Sequence, residues 1–174
     1  MRTILRDLRR ILDAVSERKT GELTRKIINA RRIFVYGVGR SGLLARTFGM
    51  RLVHLGRDAT VVGDTTTPAI RRGDLLVVCS RTGQSPVLHH AIHLARREGA
   101  GVVTVTGLRG APVAADADLV IRLPLEKAQC EQEQPMGSLF EQALLIFLDS
   151  VVLRLMTLLE RTSEDMERIH SNLP

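Results

Sequence analysis

Six consecutive residues, Ser80-Arg81-Thr82-Gly83-Gln84-Ser85, set three hydroxyls around one glycine just ahead of a helical stretch. Hydroxyls and free amide N–H groups at the start of a helix cradle a phosphate dianion without needing a lysine. A helix cap at Ser85 and ordinary turn chemistry compete with that reading, but a cap needs only one hydroxyl. A second loop, Gly37-Val38-Gly39-Arg40-Ser41-Gly42, has the G-x-G-x-x-G spacing, and Asp64 stands about where a ribose-binding acid would. A dinucleotide is therefore a competing ligand, and a tight strand-to-helix turn the plainer explanation. Thr65, Thr66 and Thr67 offer hydroxyls to a polyol or form a turn before Pro68. Ser138-Leu139-Phe140-Glu141 reads two ways as well: a capping box, or a carboxylate placed for proton transfer. Of the five histidines, His54 is expected to pack. His89, His90 and His93 have helical metal-ligand spacings but no carboxylate or cysteine partner nearby, so no metal is expected there.

These groups need elements to hold them. Apolar residues at helical spacing predict helix over residues 1–30, broken at Gly21. Short apolar runs at 33–36, 59–62, 75–79, 102–106 and 119–123 predict five strands. Between them lie helices over 43–55, closed by Gly56, and 87–98, opened by Pro86, with one short turn at 111–115. A long loop at 124–137 leads to a strongly apolar helix over 139–159 and a short one over 164–170. Continuous apolar strands separated by helices are the pattern of a parallel sheet covered on both faces, a doubly wound α/β fold. In such sheets ligands bind beyond the carboxyl ends of the strands near the switch point, which is where the loops above fall. The helix over 139–159 is apolar nearly all round, which predicts burial on several sides and an oligomer interface; Asp149 and Arg154 argue against a membrane span.

Composition narrows the partners. The 174-residue chain holds 25 Lys and Arg against 19 Asp and Glu, a formal net charge of +6. Only Lys19, Lys26 and Lys127 among them are lysine, and the arginines are scattered singly or in pairs. Aromatic residues are 3%, too few for base-stacking platforms, so no nucleic acid is expected, and an anionic small substrate suits the field equally well. Cys79 and Cys130 have no disulfide or metal spacing, and the N-terminus lacks the apolar core of a signal peptide. The expected setting is cytoplasmic.

The pattern S-x-[S/T]-G-x-[S/T] after an apolar strand resembles the phosphate loop of the sugar isomerase (SIS) domain. The resemblance extends over residues 4–173 through Gly37 to Gly42, Met50-Arg51-Leu52-Val53-His54-Leu55-Gly56, Gly63-Asp64-Thr65-Thr66-Thr67-Pro68, Pro135-Met136-Gly137-Ser138-Leu139-Phe140-Glu141 and Arg168-Ile169-His170-Ser171-Asn172-Leu173. Together these motifs resemble the 6-phospho-3-hexuloisomerase family. The resemblance implies a flavodoxin-like three-layer sandwich with a five-stranded parallel sheet, spanning residues 1–174 as one SIS domain. It further implies interconversion of D-arabino-hex-3-ulose 6-phosphate and D-fructose 6-phosphate in the ribulose monophosphate route, no cofactor, and a homotetramer. Another aldose–ketose phosphosugar isomerase and a non-catalytic phosphosugar-binding module are the alternatives. This chain departs from the family loop, usually Ser-Gly-Ser-Gly-x-Thr, by Arg81, Thr82 and Ser85, keeping the hydroxyls and adding a cation. Asp64 stands where a glutamate is common.

Moving a carbonyl from C3 to C2 requires removing the C2 proton, forming a cis-enediol and returning a proton to C3. One partly buried carboxylate suffices as the shuttle, and a second group must serve the two oxygens. The resemblance assigns these roles to Glu141 and His170. The substrate-binding candidates are Gly39, Arg40, Ser41, Arg46, Thr65, Thr66, Ser80, Arg81, Thr82, Gln84 and Ser85, whereas Arg51 is expected in a structural ion pair.

Overall fold

The computed structural model describes residues 2–128 and 134–172; Cys130 and Leu173 lie outside them. Two helices, α1 (Arg2–Asp13) and α2 (Glu17–Asn29), precede the sheet. There follow β1 (Ile33–Gly37), α3 (Gly39–His54), β2 (Ala59–Val61), β3 (Leu75–Ser80), α4 (Pro86–Arg97), β4 (Gly101–Thr106), β5 (Leu119–Arg122), α5 (Ser138–Leu158) and α6 (Ser163–Ile169). The five strands pair in the order β2-β1-β3-β4-β5, every pair parallel. Every residue of β3 is buried, as expected for a central strand covered on both faces. This is the flavodoxin-like order, whose switch point lies between β1 and β3.

The two faces are covered unequally. Ile33, Val35, Val77, Val103 and Val105 meet buried side chains of α1, α2, α3 and α5, including Ile11, Ile27, Leu52, Phe140 and Leu144. The opposite face, with Phe34, Leu76, Val78 and Val102, is closed by Leu88, Ile92 and Ala95 of α4 and by Val113 of a short 3-10 turn. Helix α5 is apolar on most sides because it packs against α1, α2 and α3 at once. No single helix among the described residues is long and apolar enough to cross a membrane.

The N-terminal helix breaks at residues 14–16 rather than at Gly21. Ser16 caps α2, its Oγ accepting from the Lys19 amide at 3.4 Å, so the break follows a start signal. Gly21 lies inside α2, where a Cβ would stand 3.5 Å from the Arg154 guanidinium of α5. Several scattered arginines prove structural. Arg31 holds the fully buried Asp74 carboxylate at the start of β3, and Arg57 donates to the Ile28 and Ala30 carbonyls at the end of α2. Arg32 pairs with Asp58, Arg96 with Asp118 and Arg154 with Glu17. Exposed pairs of this kind contribute about 0–1 kcal/mol each, so the apolar layers carry the fold and the arginines decorate its seams.

Candidate active site

Parallel pairing of β1 with β3 sets Gly37 beside Cys79, so the loops that leave these strands are neighbours. The β1–α3 turn is as tight as backbone allows. A Cβ at Gly37 would stand 2.8 Å from the Cys79 carbonyl, and one at Gly42 would collide with the Gly37 carbonyl. Gly39 takes a φ of +58° at the first turn of α3. The three glycines are thus used by the turn itself, the plainer of the two readings of the motif. The Asp64 carboxylate accepts from Arg46 at 2.8 Å. Arg46, expected on substrate, thus pairs with Asp64 at the β2 edge, both side chains exposed.

The loop after β3 is pinned from several sides. The Ser80 hydroxyl accepts from the Gly83 amide at 3.0 Å. Gly83 has a φ of +67°, and a Cβ there would meet Val113 at 2.6 Å and Ala111 at 3.0 Å. Its carbonyl accepts from the Val113 amide at 3.3 Å and lies 2.9 Å from Nε2 of His89, one turn into α4. The Arg81 carbonyl accepts from the Gly107 amide at 3.1 Å and the Thr106 hydroxyl at 3.2 Å. His89 is the support that sequence reasoning missed: it is weighed there only as a metal ligand and set aside, whereas its ring braces the loop. Among the described residues no group of three or more His, Cys, Asp or Glu is placed to share a metal.

What the pinning leaves over is chemically useful. Ser85 occupies the N-cap position of α4, yet its hydroxyl makes no capping bond. The capping explanation of that hydroxyl therefore fails. The side chains of Thr82, Gln84 and Ser85 are bound to no other described residue, and the half-buried hydroxyls of Thr82 and Ser85 flank the N-terminus of α4. Preorganised donors at a helix N-terminus suit an anion. Buried Cys79, just before the loop, has its thiol pushed up to about 12 by burial and is no nucleophile.

The third wall is the start of α5. Gly137, with a φ of +86°, is the N-cap, so Ser138 is the first helical residue. The predicted capping box is therefore not formed: the Ser138 hydroxyl donates to the Pro135 carbonyl at 2.8 Å and accepts from Arg40 at 3.2 Å. Glu141 faces Arg40 instead, with a guanidinium nitrogen 2.7 Å from its Oε2. The approach is a close ion pair without hydrogen-bond alignment, for Oε2 is buried and accepts no hydrogen bond. The side chain of Glu141 is only 12% exposed. Gly39, Arg40, Ser41, the 80–85 loop and Glu141 are thus brought to one edge of the sheet. Thr65 and Thr66 are exposed beyond β2, while Thr67 donates its hydroxyl to the Val61 carbonyl at 2.7 Å and closes the turn.

His170 lies elsewhere. It caps α6, and its ring stands 5.0 Å from that of buried His54, the last residue of α3. Arg40 and His54 are separated by nearly the full length of α3, about 20 Å at 1.5 Å per residue. Within one chain the two expected catalytic groups therefore sit at opposite ends of that helix, because α6 folds back onto its C-terminal half. A cavity of about 420 Å³ opens at that far end, lined by Arg51, His54, Asp149, Met156, Glu167 and His170 among others. Arg51 makes no ion pair within 4.0 Å among the described residues, contrary to expectation; it faces this cavity. Burial, then the neighbouring His170 and Arg51, hold the His54 imidazole below the usual histidine range.

The SIS domain family model matches residues 26–153. The chain is 37% identical to the 3-hexulose-6-phosphate isomerase of Bacillus subtilis (strain 168), the match covering 98% of this chain and 95% of that one. It is also 37% identical to the 3-hexulose-6-phosphate isomerase of Mycobacterium gastri, over 91% of this chain and 82% of that one. A crystal structure from Methanococcus jannaschii, from which a 3-hexulose-6-phosphate isomerase function was inferred, matches with a TM-score of 0.89 at 33% identity, covering 99% of this chain and 97% of the other. A parallel sheet of order 2-1-3-4-5, a hydroxyl-lined loop at its switch point and a carboxylate beside that loop fit these likenesses: the chain belongs to the SIS domain family.

Proposed function

We propose that this chain is a phosphosugar isomerase that interconverts D-arabino-hex-3-ulose 6-phosphate and D-fructose 6-phosphate through a cis-enediol, as in the ribulose monophosphate route. The observation that carries the proposal is the juxtaposition of a mostly buried Glu141 with the Ser80–Ser85 loop, in a chain whose near full-length relatives bear that isomerase name. Residues 1–174 act as one SIS domain in this reading.

The phosphate sits on the loop, where the amides at the start of α4 and the hydroxyls of Thr82 and Ser85 donate to its oxygens. Gly39 and Ser41 at the start of α3 line the same edge. Glu141 removes the proton on C2 of the hexulose as the C3 carbonyl becomes an enediol oxygen. It then delivers a proton to C3 as the C2 oxygen becomes the carbonyl. Arg40, itself held by the Ser138 hydroxyl, keeps the carboxylate in place between the two transfers. Thr65 and Thr66, exposed beyond β2, offer their hydroxyls to those of the sugar.

His170 serves O2 and O3, and it comes from a neighbouring copy. Its distance from Glu141 within the chain supports that assignment, as do the exposed apolar side chains of α3 and α5: Leu43, Met50, Leu145, Ile146 and Leu153. The working form is a homotetramer in the cytoplasm, where a dianionic sugar phosphate is retained by the membrane.

The test is solvent exchange. Fructose 6-phosphate incubated with the protein in deuterated water is followed by proton NMR. Deuterium entering at C3 supports the proposal. Exchange at C1 replaces it with an aldose–ketose isomerase, and binding with no exchange at either carbon replaces it with a sugar-phosphate sensor.

A further inference from the structure

Arg81 is the residue by which this loop departs most from the pattern its hydroxyls resemble, and its surroundings give it two functions at once. Its backbone is fixed to the end of β4 through Gly107 and Thr106. Its side chain crosses to the other wall of the site and lies against Gly137: a Cβ there would stand 2.6 Å from Nε and 2.7 Å from Cδ. Gly137 and the residue before it, Met136, both take left-handed backbone conformations, with φ of +86° and +53°. A left-handed non-glycine residue at a site is stored strain that the surroundings must hold in place. Gly137 is also the N-cap of α5, four residues before Glu141. Among the described residues the Arg81 guanidinium has no carboxylate within 4.0 Å and no hydrogen-bond partner, whereas Arg40 is already committed to Glu141. The loop's own cation is therefore free to take a ligand while its stem is wedged into the turn that starts the Glu141 helix.

We propose that Arg81 is a positioning residue that couples phosphate recognition to the placement of Glu141, its guanidinium closing on the bound phosphate while its stem, seated on Gly137, fixes the first turn of α5. The proposal rests on the reading of the Ser80–Ser85 loop as the phosphate site. A planar guanidinium gives a phosphate dianion two aligned, charge-assisted hydrogen bonds, which the hydroxyls and amides cannot replace. The bound anion would in turn immobilise the arginine, and with it the strained turn it rests on.

Two substitutions separate the halves. Arg81→Met keeps most of the stem and loses the charge; Arg81→Ala loses both. Both variants should bind inorganic phosphate about tenfold more weakly by calorimetry and show a correspondingly raised KM. Arg81→Met, which keeps the stem but is not held by the anion, should lose about threefold in kcat, whereas Arg81→Ala should lose about tenfold. Wild-type phosphate affinity in Arg81→Met overturns the clamp. Equal kcat in the two variants, high or low, overturns the coupling. A readout that needs no turnover keeps this apart from the isomerase proposal: adding inorganic phosphate should slow amide hydrogen exchange over residues 137–141 in the wild-type protein but not in Arg81→Ala. Slowing of equal size in both sinks the coupling even if the true substrate proves to be a different phosphate ester.

Discussion

The two ends of α3 make a useful contrast. At its first turn, backbone amides, spare hydroxyls, Arg40 and Glu141 converge where β1 and β3 end. The supports there are rigid: glycines with no room for a Cβ, a loop carbonyl held by His89 and by Val113. At its last turn, His54 leans against His170 over a cavity whose walls mix Arg51 with Asp149, Glu167 and methionines. The first end can hold an anion and move a proton, but its imidazole, His89, is used in bracing the loop. The second has two imidazoles but no hydroxyl-lined cradle. Each end supplies what the other lacks, and a helix of 16 residues keeps them apart in one chain. The chemistry proposed above therefore depends on joining the first end of one copy to the second end of another.

The harshest test of the first end is Glu141→Gln. The amide keeps the shape but cannot carry the proton, so kcat should fall about 10²–10⁴-fold with the melting temperature unchanged within a degree or two. Since the capping box is not formed, the variant has no cap to lose. A fall in melting temperature with activity kept would return Glu141 to a structural role.

Subunit mixing tests the link between the ends. Glu141→Gln and His170→Asn homo-oligomers should each be nearly inactive. Denatured together and refolded, they should recover a measurable share of wild-type activity, because some sites then pair an intact Glu141 with an intact His170 from another copy. No recovery, with each variant refolding and assembling normally when treated alone, would mean that both groups act from the same chain, or that one of them does not act. The expected effect is a partial restoration, smaller than the loss from either substitution.

Much of the first end was legible beforehand, and for local reasons. The run Leu75 to Ser80 is uniformly apolar until its final residue, so strand and loop were separable by composition. Pro86 marked the start of α4, since its fixed φ and missing N–H suit a first helical turn. The failures trace to contacts between distant segments. Ser138 and Glu141 have the spacing of a capping box, but Gly137 takes the cap position in a left-handed conformation, with Arg81 from a distant loop lying across it. The brace from His89 to the Gly83 carbonyl exists only once the loop has turned back over α4. Arg51 was expected in an ion pair, yet among the described residues it makes none and faces the cavity that only the docking of α6 creates. The separation of His170 from Glu141 depends on where a short tail helix docks, which no residue of that helix announces.

The smallest expected effect concerns the second end and pH. Burial and the neighbouring His170 and Arg51 keep the folded-state affinity of His54 for a proton below its unfolded value. As pH falls through about 6.5, the unfolded chain takes up that proton while the folded chain resists it, so folding stability falls on acidification and is fully restored above that range. His54→Gln removes the titration but keeps a polar side chain of similar size. Between pH 7.5 and 5.5 the wild-type melting temperature should drop more than that of the variant. Parallel curves would mean that His54 titrates alike in the folded and unfolded chains. A difference of the expected sign would mean that the folded chain disfavours the charged His54 beside His170 and Arg51.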